Sequence, residues 1–361
     1  LDPGVLREGP VCEIGGMLAV EARGGVVVTP WRDRFRAAEA TELPVVSDPA
    51  EVDGASYAQV IVHLQKSRAA TASDLEEAWR ILAPGGQLLL AGTNSLGITS
   101  AAKRLGATLE QTGIVATTRA RARVVRWKRD DGRGPERIAT PDFEAEIEAL
   151  DGTRHVLALT TRPGVFSARK LDAGSRSLLD ALARFVGHKP PRRIVDLGCG
   201  SGVLGLAAAT LFPDAECLLA DADARAVACA KSNAARLGLS DRCRVAWWDA
   251  REAPLEGRFD LALVNPPFHQ HGTEVDLGPA LALFDGLADW LSRNGRALIV
   301  ANRTLPYEEP LSRVGEIETL ATVRGYKLLS LKRSARSSRA RGRQSPGARS
   351  GGRSRAPTRS R

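Results

Sequence analysis

Short apolar runs alternate with amphipathic stretches along most of this 361-residue chain. In the second half the runs predict strands near 193–197, 216–220, 243–248, 259–264, 296–301, 318–323 and 325–332, with helices near 203–211, 223–236 and 280–292. Such alternation implies a mainly parallel seven-stranded sheet with helices on both faces. In the first half, residues 25–29, 58–62 and 87–91 read as strands, and 73–82 and 98–105 as helices. Ser73 is a candidate N-cap with Glu76 completing a capping box, and Pro84-Gly85-Gly86 a helix stop. The order strand, helix, glycine break, strand returns at 261–264, 280–291, Asn294-Gly295 and 296–300. We read a duplicated α/β unit, two tandem Rossmann-like domains.

Between the halves, Asp130-Asp-Gly-Arg-Gly-Pro135 is a linker signal. Residues 143–147 and 155–160, joined by Asp151-Gly152, predict a hairpin leading into the second domain. The expected division is 1–128 for the first domain, 129–140 for the linker, 141–333 for the second domain and 334–361 for a tail. The tail is Arg, Ser, Gly, Ala and Pro with almost no apolar side chains, so disorder is expected.

Charge sharpens this division. The chain carries +9 overall, but residues 332–361 hold eleven Lys or Arg and no Asp or Glu. Taking those eleven away leaves residues 1–331 at −2, so the basicity belongs to the tail. A second basic stretch, 119–137, has eight basic residues against three acidic. There Arg119, Arg121 and Arg123 alternate, which on a strand puts them on one face. That face reads either as a charged edge that resists aggregation or as an RNA-facing ridge. No apolar run is long enough to span a membrane, and the N-terminus lacks the basic flank and apolar core of a signal peptide. The five cysteines form no C-x-x-C pair and have no histidine cluster near them, so buried reduced thiols in a cytoplasmic protein are expected, with no metal.

The strand expected at 193–197 runs into Gly198-Cys-Gly-Ser-Gly-Val-Leu-Gly205. Gly200, Gly202 and Gly205 fit G-x-G-x-x-G, and Asp221 follows about 20 residues on. The glycines, Gly198 included, permit a tight turn and close approach to a ligand. A pyrophosphate would be repelled by Asp196, which enters this turn. S-adenosyl-L-methionine has no phosphate and carries a sulfonium and an ammonium, so the carboxylate favours it over a dinucleotide. Asp221 is placed to accept from ribose hydroxyls, with Asp223 as the fallback or as a helix N-cap. Asp249 ends the third strand and reads either as an acceptor for the adenine amino group or as a solvated loop residue.

Asn265-Pro266-Pro267-Phe268 follows the strand at 259–264 and is the most specific signal in the chain. Proline removes backbone donors and stiffens the segment. The Asn265 side-chain oxygen and the Pro266 carbonyl are left as fixed acceptors, able to grip one planar amino group and aim its lone pair. Phe268 can stack on a flipped base. No cysteine stands at 265–268, which disfavours methylation at a pyrimidine carbon. His269 and His271 lack a third metal ligand and read as loop or substrate contacts. In the first domain, His63-Leu-Gln-Lys66 stands where such a motif would fall, and Val28-Thr-Pro-Trp31 stands where a glycine turn would. The first copy is therefore expected to keep the fold without the chemistry.

Asp196 to Gly205 together with Asn265 to Phe268 resembles the class I methyltransferases that act on amino nitrogens. The wider pattern resembles the RsmC/RlmG family, which methylates guanine N2 in ribosomal RNA. Pro163-Gly-Val-Phe-Ser167, Leu171-Asp172 and Gly174-Ser175 resemble its entry segment, and Ala301-Asn302 with Leu305-Pro306-Tyr307 its later motifs. Lys66, Gly97-Ile98 and Ser100 to Lys103 resemble its inactive copy. Thr304 departs from the family, which often has an aromatic there. The resemblance implies a methyltransferase-like inactive first domain, a catalytic second domain, S-adenosyl-L-methionine as cofactor, and ribosomal RNA or a ribosomal subunit as partner of a monomeric enzyme. The alternatives are an adenine N6 or protein glutamine N5 methyltransferase of the same fold, or a non-catalytic RNA-binding assembly factor.

Overall fold

The computed structural model describes residues 5–333 other than 120, 131, 168–169, 267–268, 272–273 and 324, with no side chains for 269–271 and 274–276. Pro267, Phe268 and the tail expected to be disordered lie outside the described residues.

Two seven-stranded sheets are formed. The first uses β1 (Val11–Ile14), β2 (Gly25–Val28), β3 (Val45–Val46), β4 (Tyr57–His63), β5 (Leu82–Thr93), β6 (Ile114–Arg119) and β7 (Ala122–Lys128), in the order β3-β2-β1-β4-β5-β7-β6. A hairpin of β8 (Asp142–Glu148) and β9 (Arg154–Thr160) follows. The second sheet uses β10 (Arg193–Leu197), β11 (Glu216–Asp221), β12 (Cys243–Trp247), β13 (Phe259–Val264), β16 (Leu291–Asn302), β17 (Gly315–Val323) and β18 (Tyr326–Arg333), in the order β12-β11-β10-β13-β16-β18-β17. Between β13 and β16, β14 (His269–His271) pairs with β15 (Glu274–Asp276). In both large sheets six strands run one way and the seventh, β7 or β18, is antiparallel to its two neighbours.

The halves also share their irregularities. Pairing of β4 with β5 jumps between Tyr57 and Gln59, opposite Leu82 and Gln87. Pairing of β13 with β16 jumps between Phe259 and Leu261, opposite Leu291 and Arg296. Bulges at equivalent places support duplication more strongly than strand order alone. They also explain Pro84-Gly85-Gly86 and Asn294-Gly295, which lie in these bulges and not at helix ends. A Cβ on Gly295 would come within 2.7 Å of the Phe259 carbonyl oxygen, so the close crossing needs glycine there.

The helices are α1 (Leu18–Arg23), α2 (Arg32–Ala40), α3 (Arg68–Ile81), α4 (Ile98–Leu109), α5 (Ala173–Val186), α6 (Val203–Leu211), α7 (Ala224–Arg236), α8 (Gly278–Trp290) and α9 (Glu308–Ser312). Three expectations change here. The cap of α3 is Ser67, which accepts from the Ala70 N–H at 3.2 Å; Ser73 lies inside the helix, because Ala69 and Ala70 are strong helix formers that extend it N-terminally. Arg119, Arg121 and Arg123 do not share one strand face: β6 ends at Arg119, β7 begins at Ala122, and Arg121 has φ 64° in the turn between them. The counterpart of the glycine turn is Gly15-Gly16 after β1, whereas Val28 to Trp31 follows β2.

The second domain is packed around α6, whose Val203 to Ala209 are all buried. On one side Ala145, Ile147, Leu157 and Leu159 point inward from the hairpin while their neighbours face solvent, the period expected of a half-buried pair. On the other face Phe284 and Trp290 of α8 are fully buried. Fully burying an apolar side chain of that size contributes about 1.5–3 kcal/mol. Asn233 of α7 exchanges two hydrogen bonds with Thr160 at 2.8 and 2.9 Å and donates to the Ser201 carbonyl at 2.9 Å, tying the hairpin to the glycine turn. Leu197 lies in register with Ala220 and Val264, so the residues just beyond them meet at the carboxyl edge of the sheet, where ligands of such folds bind.

Candidate active site

The glycine turn forms as its composition requires. Gly198, Gly200 and Gly202 have φ of 73°, 56° and 87°, a region in which other residues are strained. A Cβ on Gly205 would lie 2.8 Å from Leu219 Cγ and 3.1 Å from Asp196 Cβ, so the helix can sit on the strand only with glycine there. Gly200 is different: a Cβ there would meet nothing within 4 Å, so its backbone borders open space.

Asp196 is buried at the end of β10. Its Oδ2 accepts the Gly205 N–H at 2.8 Å, while Oδ1 is buried without a partner. Burial pushes its pKa up to about 7, and the Asp221 charge adds to the rise while the Gly205 bond opposes it. Asp221 accepts from the Gly200 N–H at 2.8 Å and the Asp223 N–H at 2.9 Å. Burial raises it to about 6 against those two bonds. Two carboxyls that pay for burial in raised pKa, one with an orphaned oxygen, beside an open glycine backbone, suit a ligand that brings cationic and hydroxyl groups. S-adenosyl-L-methionine meets that description.

Asp223 takes the helix-cap reading. It caps α7, accepting the Arg225 N–H at 2.9 Å, and pairs with the buried Arg225 guanidinium at 2.8 Å. Asp249 is engaged by Arg251, with contacts of 2.8 and 2.6 Å to its two oxygens, and this cation holds its carboxyl below the usual range.

Asn265 stands immediately after β13, and its amide is held from an unexpected direction. Its Nδ2 donates to Ser175 Oγ at 2.9 Å and lies 3.3 and 3.4 Å from the Asp172 oxygens. Asp172 is the N-cap of α5, accepting from the N–H groups of Gly174 at 2.9 Å and Ser175 at 3.1 Å. With the nitrogen directed to α5, Oδ1 is left to face elsewhere as an acceptor. Asp172 and Ser175 are the residues missed by reading local chemistry; their only sequence signal was the similarity of the entry segment. Pro266 is buried. Asp196, Asp221, Asn265 and the glycines thus come together at one sheet edge, and Asp249 lies beyond the neighbouring β12. All five cysteines are free and buried. Among the described residues no group of three His, Cys, Asp or Glu could hold a metal ion.

The family model described as the methyltransferase small domain matches residues 156–330. A ribosomal RNA large subunit methyltransferase G from Shewanella amazonensis is 32% identical over 73% of this chain and 66% of its own length. A ribosomal RNA small subunit methyltransferase C from Sodalis glossinidius is 30% identical over 82% of this chain and 80% of its own length. Among solved structures, the T. thermophilus 16S rRNA N2 G1207 methyltransferase (RsmC), in complex with AdoMet and guanosine, superposes with a TM-score of 0.78 at 27% identity, covering 92% of each chain.

Proposed function

This chain belongs to the RsmC/RlmG family of ribosomal RNA methyltransferases, and from that membership we propose that it transfers a methyl group from S-adenosyl-L-methionine to the exocyclic N2 of a guanine in ribosomal RNA. The observation that carries this reading is the Asn265 amide, anchored through its nitrogen by Ser175 and Asp172 so that its oxygen is fixed as an acceptor.

When bound, S-adenosyl-L-methionine supplies an electrophilic methyl group on a sulfonium. The orphaned Oδ1 of Asp196 and the carboxylate of Asp221 hold its cationic and ribose groups, and Gly198, Gly200 and Gly202 let the backbone approach. Asp249 faces the adenine side while bound to Arg251. Asn265 Oδ1 and the Pro266 carbonyl accept the two hydrogens of the target amine. A guanine amine is a poor nucleophile because its lone pair is delocalised into the ring; gripping both hydrogens favours a pyramidal nitrogen and directs the lone pair. Catalysis is then positioning by fixed dipoles, with no side-chain base. The methylated nitrogen releases its proton readily to water. Pro267 and Phe268, outside the described residues, are assigned from the sequence alone: a proline that restricts the chain and an aromatic ring suited to stack on a base.

The partner in this reading is ribosomal RNA or a ribosomal subunit, met by a cytoplasmic monomer. No helix among the described residues is long and apolar enough to cross a membrane. Residues 1–331 carry −2, so attraction to phosphates comes from local basic patches or from the Arg-rich residues 332–361. Removing 334–361 should weaken RNA binding and flatten its salt dependence without changing the base methylated.

The test is methyl transfer from labelled donor to ribosomal subunits and to free ribosomal RNA, with nucleosides and protein analysed separately. Label should appear as N2-methylguanosine. Label in N6-methyladenosine or in glutamine of a ribosomal protein would replace this reading with another amine or amide substrate.

A further inference from the structure

The loop that follows Asp221 is held from outside its own domain. The Ala222 carbonyl accepts the Arg32 N–H at 2.9 Å, and the Ala224 N–H donates to the Pro30 carbonyl at 2.8 Å, so that Trp31 and Asp223 form an antiparallel bridge. Trp247, the register partner of Asp221 on β12, donates its indole N–H to the same Ala222 carbonyl at 3.0 Å. Its ring is covered by the first domain: Phe35 meets it edge-on at 4.8 Å, and the Arg32 guanidinium lies 5.1 Å from its centroid. Arg32 also pairs with Glu252 at 2.7 Å, and Asp33 reaches Arg251, the partner of Asp249, at 3.1 Å.

We propose that the first turn of α2 in the first domain is the outer support of the methyl-donor pocket in the second, with Arg32 as its main positioning residue. This rests on the donor site proposed above. One of the N–H groups fixing the Asp221 carboxylate belongs to Asp223, and the peptides flanking Asp223 are bonded to Pro30 and Arg32. A shift of α2 therefore moves a hydrogen-bond donor of Asp221. The contacts through Trp247 and Arg251 act on the β12 side of the same pocket. None touches Asn265, Asp172 or Ser175, so the support acts on donor affinity and leaves the amine acceptors alone.

Arg32 offers a selective test because it is the first residue of α2. Proline is tolerated at that position, and Trp31 before it already has the extended φ of −85° and ψ of 121° that proline favours in its predecessor. Arg32→Ala removes the Glu252 pair and the cover on Trp247; Arg32→Pro also removes the N–H to Ala222. Asp48→Asn serves as comparison, since it weakens a different interdomain ion pair, Asp48–Arg162, that hydrogen-bonds to neither the Asp221–Asp223 loop nor β12 and reaches Asp223 and its partner Arg225 only through charge.

Calorimetry with S-adenosyl-L-methionine on the full-length variants reads the affinity, and thermal unfolding without donor reads the stability. Losing one such hydrogen bond or ion pair changes affinity by about two- to tenfold. Kd should rise by about that much in Arg32→Ala and by a further step of the same order in Arg32→Pro, with turnover at saturating donor little changed. Asp48→Asn should lower Tm and keep the wild-type Kd. The proposal is overturned if Arg32→Pro keeps the wild-type Kd, or if Asp48→Asn weakens donor binding as much, which would make the effect one of domain docking in general. Failure of the wild-type protein to bind donor would overturn the functional reading as well, and is distinguishable from both.

Discussion

The two copies share strand order and bulges, and they differ where their sheets open. Register places Glu13 at the position of Asp196, Thr29 at that of Asp221 and His63 at that of Asn265. Glu13 Oε2 accepts the N–H groups of Ala19 at 2.7 Å and Val20 at 3.2 Å, as Asp196 Oδ2 accepts that of Gly205. The other oxygen decides the difference. Glu13 Oε1 is taken by His63 Nε2 at 2.7 Å, whereas Asp196 Oδ1 has no partner. The His63 ring also lies where a Cβ on Gly16 would fall, 2.3 Å from Nε2, so imidazole fills the space beside the first turn. One copy satisfies its buried carboxylate internally and closes. The other leaves an acceptor unpaired. The fold tolerates both states because the differences that decide them lie at the strand ends, just beyond the paired register.

The largest effect that would separate the copies is on chemistry. Asn265→Ala should reduce turnover by roughly 10²-fold or more, as loss of a preorganised dipole does, with donor affinity nearly unchanged. Equal losses in both, measured by single-turnover kinetics and calorimetry, would make Asn265 a donor-binding or folding residue.

Next come the carboxylates. Asp221→Ala should weaken donor binding by about 1–3 kcal/mol. Glu13→Ala should leave donor binding alone and lower folding stability by about 1–3 kcal/mol, since it strands two buried N–H groups and His63. If Glu13→Ala changes donor affinity and not Tm, the contrast between an open and a closed copy fails.

A smaller effect is pH dependence. Asp196 and Asp221 have pKa values raised to about 7 and about 6, so their protonation favours the donor-free fold at low pH. That contribution is complete below about pH 4, the unfolded value, and is lost as pH rises through the folded values. A cationic donor prefers the ionised carboxyls, so its affinity should rise between pH 6 and pH 8, by roughly tenfold for one linked proton. Thermal-shift titrations at the two pH values check this; a flat profile would mean that neither carboxyl meets a cation.

Much of this was legible in the sequence where a local pattern carries the information. An apolar run ending in glycines predicted β10, its turn and α6, and the same reading put Asp196, Asp221 and Asn265 at strand ends, where they lie. β1 was not legible because buried Glu13 interrupts a run of only four residues, and with it went the true counterpart of the glycine turn. The anchoring of Asn265 by Asp172 and Ser175 was not legible either, because it joins positions 93 and 90 residues apart. Asp223 takes the helix-cap alternative of its two sequence readings, while its pairing with Arg225 is what a carboxylate's position alone does not reveal.

Donor stoichiometry tests the contrast between the copies most directly. Calorimetric titration of the full-length protein with S-adenosyl-L-methionine should give one site per chain, abolished or strongly weakened in Asp221→Ala and unchanged in Glu13→Gln. Two equivalent sites, or a single site that Glu13→Gln removes and Asp221→Ala spares, would contradict the account.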